Sequence, residues 1–129
     1  MLLISLFIKQ KCYDKAIQVC EEYRKLYSLN SQNHHILGIL YKETGKRENA
    51  FNSFIRAIRL NPSSIESLSE LNEMLESSHF YEELLLIYRK MLFQKEENHI
   101  ILQIIRKLVE EKNVRKNNFK EKLNFSELI

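Results

Sequence analysis

The 129-residue sequence contains very little glycine and proline, with two Gly and one Pro. Folds built from short strands and tight turns need more of these residues to form their turns. A glycine-rich phosphate-binding loop is also excluded, because Gly38 and Gly45 are the only glycines in the chain. The sequence therefore predicts helices joined by short loops, in the single domain that is typical of this length.

Cysteine is equally scarce, and its spacing argues against a disulfide bond. The two cysteines are Cys12 and Cys20. A helix beginning near Asp14 would place them well apart, whereas a disulfide needs its two Cα atoms within about 7 Å of each other. We expect two free thiols, which are typical of a reducing compartment, and therefore a cytoplasmic protein.

Long apolar runs and strong charge are missing too. No stretch approaches the roughly 20 apolar residues of a membrane-spanning helix. Segment 1–10 has no basic residue before its apolar run and no small-residue cleavage site, so we predict a buried helix rather than a signal peptide. The net charge of +3 is mild, and neither a membrane nor a nucleic-acid partner is expected.

The sequence does contain an internal repeat with a period of 34 residues. Within each copy the apolar residues recur at spacings of three and four, which is the period of a helix with one buried face. Residues that share a position in successive copies form six rows: Ala16, Ala50 and Leu84; Cys20, Phe54 and Tyr88; Tyr23, Ala57 and Met91; Leu26 and Leu60; Leu3, Leu37, Leu71 and Ile105; Phe7, Tyr41, Leu75 and Val109. Such parallel rows of small or apolar residues predict an all-α architecture of stacked helices.

The copy from Ser31 to Ser64 resembles a tetratricopeptide repeat. It carries the family's residues in order: Leu37-Gly38, Tyr41, Gly45, Ala50, Phe54, Ala57 and Pro62. The family's first-helix Trp is replaced by His34, which we expect to pack between repeats. The resemblance implies a right-handed α-solenoid of stacked antiparallel helix pairs, with three to four repeats.

The repeat register divides the chain into a repeat domain and a tail. The repeat domain spans 1–112 and comprises copies at about 1–30, 31–64 and 65–98 and a partial copy at 99–112. Helices are expected near 1–10, 13–28, 31–44, 47–60, 64–77, 80–93 and 97–112. The basic segment 113–129 is expected to form a capping helix near 118–128 or a tail. Because Met1 falls on the fifth position of its copy, we expect a truncated chain or a fragment of a longer array.

In this family the first helices of successive repeats line a concave groove that binds a peptide or a helix. The resemblance places eight residues on that groove: His35, Ile39, Lys42, Glu66, Ser69, Glu73, Glu76 and Gln103. The glutamates make part of the groove acidic, so we expect a partner with an apolar anchor followed by Lys or Arg. Glu66 and Glu70 stand where the family's chaperone-binding clamp carries basic residues, so that function is rejected.

The sequence shows no constellation of residues typical of catalysis or metal binding. His34 and His35 are adjacent while His79 and His99 are distant, so the histidines form no set with ligand spacing. No metal or cofactor is expected, and the predicted function is a non-enzymatic scaffold that binds a partner protein or peptide. Two alternatives stay open: a repeat region attached to an enzyme such as a glycosyltransferase, and RNA binding through the basic residues of 112–122, which are otherwise a solvated helix face. The apolar N-terminal helix also predicts self-association.

Overall fold

The computed structural model describes residues 2–95 and 97–112, which form seven helices and no strand. The helices are α1 (Leu2–Lys9), α2 (Tyr13–Leu26), α3 (Ser31–Glu43), α4 (Arg47–Leu60), α5 (Ile65–Met74), α6 (Ser78–Phe93) and α7 (99–112). The predicted all-α fold is confirmed, and every helix predicted before residue 113 is present with ends within three residues of the expected ones. The helix expected near 118–128 lies outside the described residues. Within the described part of the chain, no helix combines the length and the apolar character needed to cross a lipid bilayer.

The chain groups into two compact units that divide after Leu71. In the first unit, α1 packs against α2, α2 against α3, and α3 against α4. Their connections are short, at residues 10–12, 27–30 and 44–46, and connections of this length produce antiparallel helix hairpins. A buried side-chain bond also joins α2 to α3, because the Nδ2 group of Asn33 donates to the carbonyl of Cys20 at 3.1 Å.

The rows of the 34-residue repeat form most of the core. Nine of their members are completely buried: Ala16, Cys20, Leu37, Ala50, Phe54, Ala57, Leu71, Leu84 and Ile105. A fully buried Leu or Phe side chain stabilises a fold by roughly 1.5–3 kcal/mol. The predicted use of these rows as packing positions is therefore confirmed for the residues named here.

One row of the repeat does not belong to the core. Leu26 and Leu60 are the last residues of α2 and α4, and they are 78% and 37% exposed. Membership of a row of the repeat therefore does not by itself mean burial in the core. The repeat spacing marks equivalent positions in successive copies, and equivalent positions at the ends of helices are open to solvent alike.

Helix α1 buries only part of its apolar surface. Ile4 is buried in the cluster formed with α2, and Phe7 packs against that cluster, whereas Leu3, Leu6 and Ile8 are exposed. The predicted helix is present, but the expectation that it is buried is wrong for these three residues. The reason is that α1 packs against α2 through one face.

The turn between α3 and α4 contains a residue with left-handed backbone geometry. Gly45 has a φ of +78°, a conformation that glycine adopts without the steric cost of a Cβ. The Lys46 N–H donates to the Tyr41 carbonyl at 2.8 Å, and the Gly45 N–H donates to the Lys42 carbonyl at 3.2 Å. These bonds satisfy carbonyl groups left open at the end of α3.

Candidate partner-binding site

The candidate site begins on α3, whose first turn is fixed by a capping residue. Asn30 precedes the helix, and its Oδ1 atom accepts the backbone N–H of Asn33 at 2.8 Å. Such caps are favoured because the first N–H groups of a helix have no partner inside it. From this start His35, Ile39 and Lys42 follow at spacings of four and three, which places them on one face of α3.

His35 connects this face of α3 to α5. Its Nδ1 atom lies 2.7 Å from the hydroxyl oxygen of Ser67, and its Nε2 atom lies 3.7 Å from a carboxylate oxygen of Glu66. The imidazole ring also packs against the ring of Phe54, with 5.6 Å between the ring centroids. Two of the predicted groove residues, His35 and Glu66, are therefore neighbours in space.

Lys42 and Glu70 form a second link between α3 and α5. The Nζ group of Lys42 donates to Oε2 of Glu70 at 2.8 Å. Sequence reasoning considered both residues separately but missed the pair, because they occupy different positions of the repeat and no row connects them. Exposed pairs of this kind contribute about 0.2–1 kcal/mol to stability. For binding, the more important consequence is that the charge of Glu70 on α5 is already neutralised by Lys42.

The predicted residues Ile39, Glu66 and Ser69 border these two links. Ile39 lies between His35 and Lys42 along α3 and is half-buried, so it supplies apolar surface. The Glu66 side chain is 77% exposed, and Ser69 is exposed on α5. We call the surface formed by His35, Ile39, Lys42, Glu66 and Ser69 the α3–α5 surface. It offers a partner apolar contact, hydrogen-bonding groups and charges of both signs.

The other predicted groove residues lie beyond Leu71, in the second unit. Glu73 is exposed on α5, and Gln103 is exposed on α7. Glu76 accepts a hydrogen bond from the ammonium group of Lys112, at the last described position of α7. Glu76 is therefore engaged within its own unit.

The side chain of Lys112 is buried at the end of α7. The expectation that it belongs to a solvated basic face is wrong, because its side chain is 4% exposed. The long aliphatic stem of a lysine can be buried while its ammonium group stays paired, and the bond to Glu76 offsets the cost of removing that charge from water. The remaining basic residues of the tail lie outside the described residues.

Two residues that the sequence assigned to packing are buried in the first unit, as expected. Cys20 is a free cysteine, and burial, together with the nearby carboxylate of Glu21, raises the pKa of its thiol to about 11. Such a thiol carries almost no thiolate at neutral pH and is a poor nucleophile. His34 is buried, and its Nε2–H group donates to the carbonyl of Ser28 at 2.8 Å.

The helix pair α3–α4, with the turn that follows it, covers residues 31–64. These residues match the sequence profile of the tetratricopeptide repeat family. This segment is similar to one tetratricopeptide repeat. The resemblance is confirmed for this copy, while a comparison with curated proteins finds no relative that matches the chain.

The tetratricopeptide repeat contributes the α3 half of the α3–α5 surface. Its first helix carries His35, Ile39 and Lys42, and its second helix carries Phe54, which supports the His35 ring. Tetratricopeptide repeats are typically non-catalytic modules that bind other proteins. At this general level, the repeat supports a role in protein interaction.

Proposed function

We propose that the chain is a scaffold whose α3–α5 surface binds a segment of a partner protein. The segment carries an apolar residue that contacts Ile39 and, next to it, a Lys or Arg that pairs with Glu66. Ile39 follows His35 by one helical turn, and the exposed carboxylate of Glu66 lies 3.7 Å from the His35 ring, so a short segment that carries an apolar and a basic residue is complementary to these two groups.

The proposal rests on a difference between two glutamates of α5, of which one is paired with a lysine and the other is exposed. Glu70 is held by Lys42 at 2.8 Å, whereas Glu66 is 77% exposed and lies 3.7 Å from His35. An exposed carboxylate loses little hydration when a basic ligand reaches it, so the pair forms at a small desolvation cost. Glu66 is therefore the charge on this surface that is best placed to attract a basic residue.

A pair of labelled peptides tests the charge preference. The first carries a Leu followed by two Lys residues, and the second replaces both Lys residues by Gln. Fluorescence anisotropy with the full chain should show tighter binding of the basic peptide. The difference should shrink as salt is raised, because ions screen exposed charges. Equal binding of the two peptides at low salt would contradict the proposal.

Matched charge reversals distinguish binding at the α3–α5 surface from an effect of the protein's overall charge. Glu66→Lys should weaken binding of the basic peptide about threefold to tenfold, mainly through slower association. Glu22→Lys makes the same charge change at an exposed position of α2 and should leave binding unaltered. Ile39→Ala should weaken both peptides, because both carry the apolar anchor. If Glu66→Lys and Glu22→Lys have the same effect, the surface is not the binding site.

Glu76 is a poor position for such a charge reversal. Its carboxylate is bonded to the buried ammonium group of Lys112. Glu76→Lys would leave that ammonium group without its partner and add a like charge beside it, which destabilises a fold strongly. A loss of binding in that variant would therefore report on folding rather than on the groove.

We also propose that α1 mediates self-association. Leu3 and Leu6 are exposed on successive turns of the helix, and Ile8 is exposed beyond them. Clustered exposed apolar residues usually mark contact surfaces. Leu3→Ser with Leu6→Ser should lower the association seen in sedimentation, whereas Leu86→Ser, at an exposed position of α6, should not. A wild-type chain that stays monomeric at high concentration would exclude this role.

A further inference from the structure

A cavity in the first unit lies where α2 and α4 end. It has a volume of about 430 Å³ and is bordered by the end of α2, the connection 27–30, the first turn of α3 and the end of α4. Leu29 and Leu60 supply apolar walls, and both are exposed. A volume of this size accommodates one or two side chains or a small ligand. Leu60, which does not pack in the core, thus forms part of the wall of this cavity.

Three guanidinium groups line the same cavity. They belong to Arg24, Arg56 and Arg59. Arg24 is bonded to the carboxylate of Glu21 at 3.2 Å. Among the described residues, no carboxylate pairs with Arg56, which is exposed. Arg56 is thus the cation that a ligand can engage without breaking an existing ion pair.

Arg56 supplies the positive charge that an anion meets in the cavity, since Arg24 is already bonded to Glu21. The carbonyl ends of α2 and α4 oppose an anion, but each amounts to only about half an elementary charge, which is less than the full charge of one guanidinium group. Guanidinium groups bind carboxylate and phosphate oxygens through two parallel hydrogen bonds.

A buried histidine on the cavity wall has a ring nitrogen without a partner. His34 is 3% exposed and lines the cavity. Its Nε2–H group donates to the carbonyl of Ser28, while no described residue is bonded to its Nδ1 atom. Buried polar atoms are nearly always hydrogen-bonded in native proteins. The Nδ1 atom itself is inaccessible to solvent, so His34 contributes ring surface to the cavity wall rather than a hydrogen-bonding group.

A smaller polar cavity adjoins the first one. It measures about 210 Å³, shares Arg24 and Arg56 with the first, and is lined further by Asn49 and Asn52 of α4 and by Glu21, whose carboxylate is already bonded to Arg24 and Tyr41. A ligand that reaches Arg56 from the apolar cavity therefore meets further hydrogen-bonding groups beyond it. This arrangement fits a peptide better than a single small ion.

We infer that this double cavity is a second binding site, which takes an acidic peptide segment. An apolar side chain of the segment lies against Leu29 and Leu60, and a neighbouring carboxylate or phosphate group pairs with Arg56. The site is separate from the α3–α5 surface and has the opposite charge preference, so it does not depend on that proposal.

Three labelled peptides test this inference with the full chain. One carries a Leu followed by two Glu residues, one carries a Leu followed by phosphoserine, and one carries a Leu followed by two Gln residues. Both anionic peptides should bind more tightly than the neutral one in fluorescence anisotropy, and the tighter of the two identifies the preferred oxyanion. Inorganic phosphate should compete with both. Binding of the neutral peptide as tight as that of the anionic ones would overturn the inference.

A matched pair of variants locates the binding. Arg56→Gln should weaken both anionic peptides at least about tenfold, because it removes a charge-assisted pair. Arg47→Gln removes the same charge from the other end of α4, outside the cavity, and should change affinity less than about twofold. Both positions are exposed, so circular dichroism should show the wild-type fold. Equal effects of the two variants would overturn the inference.

Two further variants and one competing ligand narrow the assignment. Leu60→Ser should weaken the anionic and the neutral peptide alike, which a purely electrostatic attraction would not show. Glu66→Lys, which tests the α3–α5 surface, should leave anionic binding intact. A single-stranded RNA that binds more tightly than both anionic peptides and loses affinity in Arg56→Gln would overturn the assignment to a peptide.

Discussion

Gly38 on α3 lies directly against the ring of Phe54 on α4. A Cβ atom added to Gly38 would lie 2.5 Å from Cε1 of Phe54 and 2.7 Å from Cδ1 and Cζ. Real Cβ atoms do not make contacts shorter than 3.0 Å, and the Phe54 ring is completely buried. The two residues therefore determine together how closely α3 and α4 approach.

Substitutions at Gly38 and Phe54 should show strong coupling. Gly38→Ala should lower the free energy of unfolding by about 1–3 kcal/mol, because the added methyl group overpacks the contact. Phe54→Ala should lower it by about 3–5 kcal/mol, because it leaves a cavity. The double variant should be less destabilised than the sum, since the cavity receives the methyl group. Urea unfolding of the four proteins measures the coupling, and additive effects would show that the contact is wrongly described.

The two cysteines should differ sharply in reactivity. A thiol whose pKa is raised from 9.0 to about 11, as burial does for Cys20, has a thiolate fraction at pH 7 about 100-fold below that of an ordinary cysteine. A thiol-specific disulfide reagent should modify one residue per chain quickly in the native protein and two after unfolding. In Cys12→Ser the fast reaction should disappear, and in Cys20→Ser it should remain. Rapid labelling of Cys12→Ser under native conditions would contradict the burial of Cys20.

Tyr41 should make the protein lose stability at high pH. Burial, and then the hydrogen bond that the phenol donates to Glu21 at 2.5 Å, raise the pKa of Tyr41 to about 12. The unfolded chain has an ordinary tyrosine pKa of about 10, so it loses this proton first as the pH rises. The stability contributed by Tyr41 is therefore fully present below about pH 10 and is lost between about pH 10 and pH 12.

Comparison with Tyr41→Phe isolates this contribution from those of the other tyrosines. The variant should be less stable than the wild type at neutral pH by about 1 kcal/mol, because the bond to Glu21 is lost. The difference in unfolding free energy between the two proteins should then narrow as the pH rises above about 10. A difference that stays constant to about pH 12 would show that the phenol is not held by Glu21.

The helices and most of the core could be predicted because they depend on residue type and spacing. Ala16 and Ala50 occupy equivalent positions of the repeat, as do Cys20 and Phe54, and these positions indicate a buried helix face. Small residues are needed at such positions wherever two helices approach closely. The same reasoning fails for Leu26 and Leu60. Spacing shows that two positions are equivalent, but burial depends on what lies beside them in space.

The ion pairs at the candidate site could not be predicted in this way. Lys42 on α3 is bonded to Glu70 on α5, and Lys112 on α7 is bonded to Glu76 in the turn after α5. The sequence does not specify how these elements are placed relative to one another. Charged side chains are long and flexible, so a difference of a few ångströms decides which carboxylate a lysine reaches. The sequence therefore predicts an acidic face on α5, while the structure shows which of its glutamates are already paired.

The turn at Gly45 excludes side chains by their handedness and not by their size. A Cβ atom at this position would have no atom within 4 Å, yet the φ of +78° is one that L-residues rarely adopt. D-Alanine, the mirror image of the ordinary residue, favours this backbone geometry. A chemically made chain with D-alanine in place of Gly45 should therefore gain about 0.4–1 kcal/mol in urea unfolding, because its unfolded state has fewer conformations, whereas the ordinary Gly45→Ala variant should lose stability. The connection between the two helices of the repeat thus disfavours L side chains through its backbone conformation, although the space beside it is open.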